Sequence, residues 1–227
     1  MAKGVTIYFM RHAQTYLNKY NRMQGWADAP LTDKGVEDVR QSARGLADVD
    51  FQAVYTSDLQ RTVQTAEIVL EENHYADKNL RIEKKPEFRE VFFGSLEGLP
   101  AADIWNQIGQ NVNNDEDSYS GLIADDAVKR ELNFLHDLDP YHDAEDFMNF
   151  WMRVELGLID VITKHRESDK TILIVSHGMT IRNMIHELIP DFQIDSLLDN
   201  ASVSIVRYED GQYHLEAYNQ TEHFKTD

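Results

Sequence analysis

The sequence predicts an α/β protein: three α/β/α layers, a mainly parallel central sheet and a helical cap insertion. Apolar runs of strand length alternate with helical patterns, which is typical of a parallel sheet covered on both faces. The 227 residues, 42% of them hydrophobic, suffice for one large core. A helical, acidic stretch at about 99–145 interrupts the alternation. We therefore expect one domain over residues 1–227, with 99–145 as the cap.

The first half of the chain predicts two strand–helix units. Val5–Met10 is rich in β-branched and aromatic residues, as a buried strand requires. Thr32 is suited to cap the helix that follows, whose apolar residues recur at helical spacing. Ala53–Thr56 predicts a second short strand. Ser57 and Gln60 then form the S-x-x-Q pattern of a capping box at the start of the next helix.

The second half predicts the cap, another core strand and a hairpin. Within the cap, residues 113–121 (NNDEDSYSG) predict a loop. Apolar residues between Phe147 and Ile162 mark a long amphipathic helix. The segment TILIVSHG predicts a strand that ends at Ser176 and leads into a helix. Two final strands are joined by a turn at 209–211, which has the Asp-Gly signal of a hairpin.

Composition argues against several classes of partner. The formal charge of −18, from 22 basic and 40 acidic residues, does not suit a nucleic-acid-binding protein. The apolar runs are too short to cross a membrane, and the first residues predict a strand rather than a signal peptide. The absence of cysteine excludes disulfides and thiolate chemistry and permits a reducing compartment, so we expect a cytoplasmic protein. The oligomeric state is not predicted.

Two histidines and two arginines are expected at one edge of the sheet. His12, preceded by Arg11, follows the first strand, and His177 follows the strand TILIVS. Arg61 lies one turn into the helix after the second strand. Ligands of open α/β sheets bind outside the carboxyl ends of the strands, where these side chains are predicted to meet. Glu90, in EFREVFFGSLEG, places a carboxylate before a turn marked by glycine.

This set of residue types suits phosphoryl transfer. Arginine binds phosphate in bidentate fashion, and a neutral imidazole can attack phosphorus as a nucleophile. A protonated carboxyl group can give its proton to the leaving alkoxide. We therefore predict phosphoryl transfer through a phosphohistidine, with neither a metal nor a cofactor required.

Five segments occur in an order that resembles one enzyme family. They are FMRHAQTYLN, RMQGWADAPLTDKG, YTSDLQRTVQTA, REVFFGSLEG and VSHGMTIR. Together they resemble the histidine phosphatase superfamily, the phosphoglycerate mutase-like enzymes, over roughly residues 3–98 and 146–219. The resemblance implies a nucleophilic role for His12 and a general-acid role for Glu90. It also implies a phosphate pocket formed by Arg11, Arg61 and His177.

The resemblance extends to four further positions and departs at one. It implies phosphate or substrate contacts for Asn18, Gln24 and Gly25, and a close backbone approach at Gly178. The family signature is usually Arg-His-Gly, whereas this chain has Ala13 after the histidine. Because alanine disfavours a positive φ, we predict an ordinary negative φ there.

The shared site leaves phosphatase and mutase activities open. Similar mutases carry a basic, tyrosine-containing stretch in the insertion that holds a second anionic group. Here the insertion is acidic, and Lys129 and Arg130 are its adjacent cations. We therefore predict a metal-independent phosphatase that acts on small-molecule phosphomonoesters through a phosphohistidine on His12. A 2,3-bisphosphoglycerate-dependent phosphoglycerate mutase is the alternative, and an inactive phospho-ligand-binding or scaffold protein is a third possibility.

Two other features have simpler predicted roles. The segment HDLDPYHD, residues 136–143, offers histidine and carboxylate ligands for a metal, but acidic loops are usually solvated and we predict that here. Trp105 and Trp151 are predicted to belong to the core rather than to contact a ligand.

Overall fold

The computed structural model describes residues 4–77, 79–114, 125–189, 192 and 197–226. Within these residues, six strands form one mostly parallel sheet in the order β3-β2-β4-β1-β5-β6. The strands are β1 (Gly4–Arg11), β2 (Phe51–Thr56), β3 (Ile82–Lys84), β4 (Lys170–Ser176), β5 (Val203–Glu209) and β6 (Gln212–Gln220). The helices are α1 (Tyr16–Lys19), α2 (Asp33–Gly45), α3 (Gln60–Glu72), α4 (Ala101–Asn114), α5 (Asp125–Leu138), α6 (Phe147–His165) and α7 (Gly178–Leu188).

The side chains of β1 alternate between the two apolar clusters that lie on opposite faces of the sheet. Ile7 and Phe9 are fully or almost fully buried in one apolar cluster, which also holds residues of α6 and α7. Met10 joins a second cluster with residues of α2 and α3. Successive side chains of a strand point to opposite faces, so one strand supplies both cores. The predicted α/β/α fold class is confirmed.

The predicted helix cap and hairpin turn are confirmed where the hydrogen bonds join residues close in the chain. Thr32 caps α2, and its hydroxyl accepts the Gly35 amide at 2.9 Å. The hairpin turn is confirmed, with positive φ at Asp210 and Gly211. The Ser57 capping box is wrong, because α3 begins at Gln60 without a side-chain cap. Strand β3 and helix α1, both very short, were not predicted.

The cap consists of α4 and α5, which lie between the Glu90 segment and α6 in the chain. Leu132 and Leu135 of α5 are fully buried in the apolar cluster that contains α6. Of the predicted loop 113–121, the first two residues belong to α4 and the others lie outside the described residues. No helix in the described part of the chain is long and apolar enough to span a membrane.

Candidate active site

The ends of two neighbouring parallel strands bring His12 and His177 together. In the register of β1 with β4, Arg11 lies opposite Ser176. The two histidines come next, and the His12 amide extends the ladder by donating to the Ser176 carbonyl at 3.0 Å. Their rings lie edge to face with centroids 5.2 Å apart. Both side chains are buried at the carboxyl ends of these two central strands.

His12 is held as a neutral imidazole with a free lone pair. Its Nδ1 lies 2.8 Å from the Ala13 carbonyl oxygen. Because a carbonyl only accepts, Nδ1 carries the proton and Nε2 keeps its lone pair. Burial, followed by the cations Arg61 and Arg11, holds the pKa of His12 well below its usual value. The ring can therefore act as a nucleophile at neutral pH.

Ala13 fits without backbone strain. It is absent from the described non-glycine residues that have a positive φ, so the predicted negative φ is confirmed. Its amide donates to Thr65 Oγ1 of α3 at 3.1 Å, and its methyl group is fully buried. Alanine in place of glycine therefore leaves the geometry around His12 intact.

Arg61 is almost fully buried and bound to protein groups. Its Nη2 donates to the Gly25 carbonyl at 2.6 Å and to His177 Nδ1 at 2.9 Å. Its Nη1 donates to the Ala27 carbonyl at 3.0 Å and to Asp28 Oδ1 at 3.1 Å. The guanidinium therefore adds positive charge beside the histidines and also orients the His177 ring.

His177 engages both ring nitrogens in this structure. Since Nδ1 accepts from Arg61, Nε2 carries the proton and donates to Ser57 Oγ at 2.8 Å. Burial, followed by the charge of Arg61, holds the pKa of His177 well below its usual value. Direct contact of Nε2 with a phosphoryl group requires the bond to Ser57 to be exchanged. Sequence analysis missed this role of Ser57, although its place directly after β2 matches that of the histidines after β1 and β4.

The Glu90 carboxylate lies at the amino end of α7. Oε2 accepts the Met179 amide at 3.0 Å, and Oε1 accepts the amides of Thr180 and Val91 at 3.0 and 3.1 Å. Unpaired amides at a helix start favour a negative charge. Thr180 Oγ1 is 2.9 Å from both Glu90 Oε1 and the Arg89 carbonyl. When its single proton goes to the carbonyl, Oγ1 can accept a proton from Glu90, so the site accommodates both states of this carboxyl group.

Arg153 of α6 holds the backbone that carries Glu90. Its Nη1 donates to the carbonyls of Glu87 and Arg89, both at 2.9 Å, and its Nη2 donates to the Glu90 carbonyl at 2.8 Å. Glu145 binds the other edge of the guanidinium at 2.6 and 2.7 Å. Sequence analysis missed Arg153, because a single arginine on an amphipathic helix carries no signal of such a distant contact.

A cavity of about 280 Å³ lies next to the buried histidines. Five of the predicted site residues line it: Arg11, Asn18, Gln24, Glu90 and Gly178. Four do not, namely His12, Gly25, Arg61 and His177. Trp105 lines the cavity and is 36% exposed, so its predicted core position is wrong. Trp151 packs against the core, as predicted.

Arg11 offers a free donor beside this cavity. Its Nη1 donates to the Leu198 carbonyl. Its Nε is buried and has no hydrogen-bond partner among the described residues. The backbone of Gly178 lies close by, since a Cβ added there would be 3.3 Å from Nε. An anionic oxygen in the cavity would satisfy this N–H group.

Asn18 and Gln24 are tied to Thr15. Asn18 Oδ1 accepts the Thr15 amide at 3.1 Å and completes the cap of α1. Gln24 contacts Thr15 Oγ1 and Arg61, and the amide orientation that satisfies both has its oxygen accepting from Arg61 Nε at 3.1 Å. Both side chains are thus positioned by protein contacts, and both residues line the cavity.

Gly25 has a structural reason to be glycine. A Cβ at this position would lie 2.1 Å from the Val91 carbonyl oxygen. Its amide donates to Glu97 Oε2 at 2.9 Å, and the same carboxylate accepts the Trp26 amide at 2.8 Å. Sequence analysis missed Glu97, which fastens the turn that provides a carbonyl to Arg61.

Two cavity arginines were also missed. Arg182 of α7 pairs with Glu131 of the cap at 2.6 Å, and its Nε is buried without a partner in the described structure. Arg22 is exposed, and its Nη1 donates to the Gly98 carbonyl at 3.3 Å. They add positive charge to the cavity, and only the folded chain brings them beside Arg11.

Known proteins resemble this chain over most of its length. The family model of the histidine phosphatase superfamily (branch 1) matches residues 7–221. A 2,3-bisphosphoglycerate-dependent phosphoglycerate mutase of Haemophilus influenzae is 29% identical over 196 residues, 80% of this chain and 83% of that protein. The structure of phosphoglycerate mutase from Bacillus anthracis has a TM-score of 0.86 and 29% identity, with 98% and 96% coverage of the two chains. The α-ribazole phosphatase from Shigella flexneri has a TM-score of 0.68 and 26% identity, with 95% and 96% coverage. Because this family model matches residues 7–221, which is most of the chain, the chain belongs to the histidine phosphatase superfamily.

Proposed function

We propose that the protein is a phosphatase that hydrolyses small phosphomonoesters through a phosphohistidine on His12, without a metal in the reaction. The observation that carries this proposal is the state of His12, a buried neutral imidazole whose Nδ1–H is bound to Ala13 and whose Nε2 has no hydrogen-bond partner among the described residues. The neighbouring Arg11 has a buried Nε–H group that has no hydrogen-bond partner among the described residues. A cavity of about 280 Å³ suits a small substrate.

In the first step, His12 Nε2 attacks phosphorus and an N–P bond forms. The P–O bond to the leaving group breaks, and Glu90 transfers its proton to the departing oxygen. The cations Arg11 and Arg61 stabilise the charge of the transferred group. Thr180 Oγ1, within 2.9 Å of Glu90 Oε1, supports the protonated carboxyl group before the step and donates to the carboxylate after it.

In the second step, a water molecule attacks phosphorus and the N–P bond breaks. Glu90, now a carboxylate, accepts a proton from that water. Inorganic phosphate leaves, and Nε2 of His12 recovers its lone pair. Water is the only further reactant, so the cycle balances as hydrolysis of the ester.

The charges around the cavity favour a phosphatase over a mutase. A mutase must hold a second anionic group of its substrate. The predicted cap cation Lys129 pairs with Glu187 at 3.5 Å, lies over the Phe147 ring and is not part of the cavity lining. The charge of Arg182 is opposed by Glu131 at 2.6 Å. With the charge of Arg182 opposed, Arg22, whose Nη1 donates to the Gly98 carbonyl, is the additional cavity cation left for a second anionic group.

A phosphoglycerate mutase is the second candidate. Arg22 and Arg182 do line the cavity, and a substrate carboxylate could displace Glu131 from Arg182. The relatives named above as phosphoglycerate mutases, at 29% identity, also support this candidate.

The deciding experiment measures both activities in one preparation. Phosphate release from a panel of phosphomonoesters in the presence of a chelator is compared with interconversion of phosphoglycerates, with and without 2,3-bisphosphoglycerate. We expect hydrolysis to dominate and a brief exposure to substrate to leave phosphate on His12. Dominant bisphosphate-dependent interconversion would establish the mutase instead. Absence of both activities and of phosphohistidine in the folded protein would favour a phospho-ligand-binding protein.

A further inference from the structure

The connection between α5 and α6 gathers two histidines and an aspartate at the surface of the cap. His136 and Asp137 lie in the last turn of α5, and His142 lies in the loop that follows. One possible ligand atom from each side chain lies within 4.8 Å of the other two. The imidazole rings have centroids 5.2 Å apart. The sequence analysis treated this segment as solvated, since it did not predict that the loop folds back onto the helix end.

Both imidazoles present Nε2 for a ligand. His136 Nδ1 lies 2.6 Å from the Ala144 carbonyl oxygen, and His142 Nδ1 lies 3.3 Å from the His136 carbonyl oxygen. A carbonyl only accepts, so each Nδ1 is the donor and the lone pair of a neutral ring is on Nε2. Metal-bound histidines are oriented in this way, by a bond from the other ring nitrogen to a carbonyl or carboxylate.

The loop is held in shape by Asp139, which is fully buried. Its carboxylate accepts the amides of Asp143 and Ala144 at 2.9 Å and the Ser95 hydroxyl at 2.5 Å. The Tyr141 amide also donates to Asp139, at 3.2 Å. The loop is therefore a turn held in shape by hydrogen bonds to one buried carboxylate.

The backbone at His142 supports a functional reading of this turn. Its φ is +53°, in the left-handed region that residues with a side chain adopt uncommonly. Asparagine or glycine would adopt this conformation with less strain. Strained residues of this kind occur most often at binding sites, where the surrounding structure compensates for them.

We propose that His136, Asp137 and His142 bind one divalent transition-metal ion, with Zn²⁺ the best suited. Two imidazoles and one carboxylate supply three ligands, and water completes a tetrahedron. Ligand atoms about 2.0–2.1 Å from Zn²⁺ are about 3.3 Å apart in that geometry. Asp137 and His142 are exposed, and metal binding would draw their ligand atoms from within 4.8 Å to this spacing.

The chemistry of the ligands and the charge of the protein select this class of ion. Imidazole favours Zn²⁺, Ni²⁺, Cu²⁺ and Co²⁺ over Mg²⁺ and Ca²⁺, which prefer all-oxygen sites. The formal charge of −18 raises the local concentration of any cation. A bound ion would join the end of α5 to the loop that follows it. Asp139 of this loop is hydrogen-bonded to Ser95, and Ser95 is two residues along the chain from Phe93, which lines the cavity. The site is thus structural and separate from His12 and His177.

The test uses the full-length protein, stripped of metal with a chelator and titrated with Co²⁺ and then Zn²⁺. We expect one equivalent of Co²⁺ to give the visible absorption of a tetrahedral site, which Zn²⁺ then removes. His142→Asn keeps the left-handed backbone, and His136→Gln removes the other imidazole. Each should weaken Zn²⁺ binding by about 100-fold or more, because ligand loss costs at least as much as outer-shell loss. Zn²⁺ should raise the Tm of the wild-type protein but of neither variant.

Two controls separate this site from other histidines. His74→Asn removes an exposed histidine that pairs with Asp48 at 3.0 Å, and it should leave the titration unchanged. His12→Ala should also leave it unchanged, because the active-site histidines are not ligands. Absence of one-to-one binding to the wild type would overturn the proposal. So would binding that survives in His142→Asn, or binding that is lost in His12→Ala.

Discussion

At the scale of single residues, two histidines 5.2 Å apart are held in opposite tautomers. His12 donates through Nδ1 to a carbonyl, whereas His177 accepts at Nδ1 from Arg61 and donates through Nε2. The neighbouring group decides the tautomer in each case, since a carbonyl cannot donate and a guanidinium cannot accept. One ring is therefore available as a nucleophile, and the other joins Arg61 to Ser57.

His12→Ala tests the nucleophile. We expect phosphate release to fall by at least about 10³-fold, because nucleophile loss removes the covalent route. The protein should remain folded, since the deletion leaves β1 and its partners intact. Steady-state rates and circular dichroism check this result. His74→Ala serves as the surface control, and turnover by His12→Ala at a near-normal rate would remove His12 from the reaction.

Glu90→Gln tests the general acid through leaving-group dependence. Alkyl phosphates need a proton on the departing oxygen, so we expect their rate to fall by about 10²–10⁴-fold. Activated aryl phosphates leave as weaker bases and should lose much less. Measuring kcat/KM for both classes of ester checks the prediction. Equal losses for the two classes would argue against proton donation by Glu90.

Thr180→Val tests the positioning of that acid. The variant removes the hydroxyl that lies 2.9 Å from Glu90 Oε1 and keeps the side-chain shape. We expect kcat for alkyl phosphates to fall more than kcat for activated aryl phosphates, because the protonated carboxyl loses an acceptor. Thr180→Ser should restore the rate for alkyl phosphates. Equal losses for the two classes of ester in Thr180→Val would leave Thr180 with a purely structural role.

At the scale of elements, three segments converge on one backbone stretch. The carboxylate of Glu90 caps α7, and the carbonyl of the same residue is bound by Arg153 of α6. Arg153 in turn pairs with Glu145, at the edge of the cap, at 2.6 Å. The position of the acid relative to the sheet edge therefore depends on how α6 packs under the cap.

Arg153→Lys tests this clamp. Lysine keeps the charge but cannot span three carbonyls and a carboxylate at once, so the Glu90 segment should become less well placed. We expect kcat to fall by roughly 10-fold with little change in KM. The free energy of unfolding should drop by about 1–3 kcal/mol, from buried groups left unpaired. Arg166→Lys, at the exposed end of α6, is the matched control and should change neither quantity.

At the scale of the whole molecule, the buried neutral histidines couple stability to pH. His12 and His177 have folded-state pKa values well below the usual 6.5. Below pH 6.5 the unfolded chain binds protons that the folded chain does not, so stability falls as the pH falls. Each histidine contributes up to about 1.4 kcal/mol per pH unit in that range. Loss of negative charge on acidification relieves repulsion and opposes this trend only weakly near pH 6, where carboxylates remain ionised.

Urea unfolding across pH 7.5 to 5 checks this coupling. We expect the midpoint to decrease steadily below pH 6.5 in the wild type. The double variant His12→Asn/His177→Asn should show a flatter dependence, because two titrating groups are gone. Identical slopes for the two proteins would mean that other groups control stability in this range.

The sequence alone predicted the fold class and placed His12 and His177 at one edge. It could do so because each signal is local: a strand-length apolar run ends at a polar residue, and parallel strands bring such ends together. The cap of Thr32 and the hairpin at Asp210–Gly211 succeeded for the same reason, since their bonds join near neighbours. The sequence therefore predicted those features whose residues lie close together in the chain.

Only the tertiary structure decided what those residues contact. Ser57, expected to cap a helix, instead accepts from His177, which is 120 positions away in the chain. Arg153 reaches the Glu90 carbonyl from a helix whose pattern shows only amphipathicity. The pairing of His136 with His142 depends on a turn folded around the buried Asp139. Such contacts depend on how elements that are distant in the chain pack together. Because the free energy of that packing is shared among many residues, no short stretch of sequence predicts these contacts.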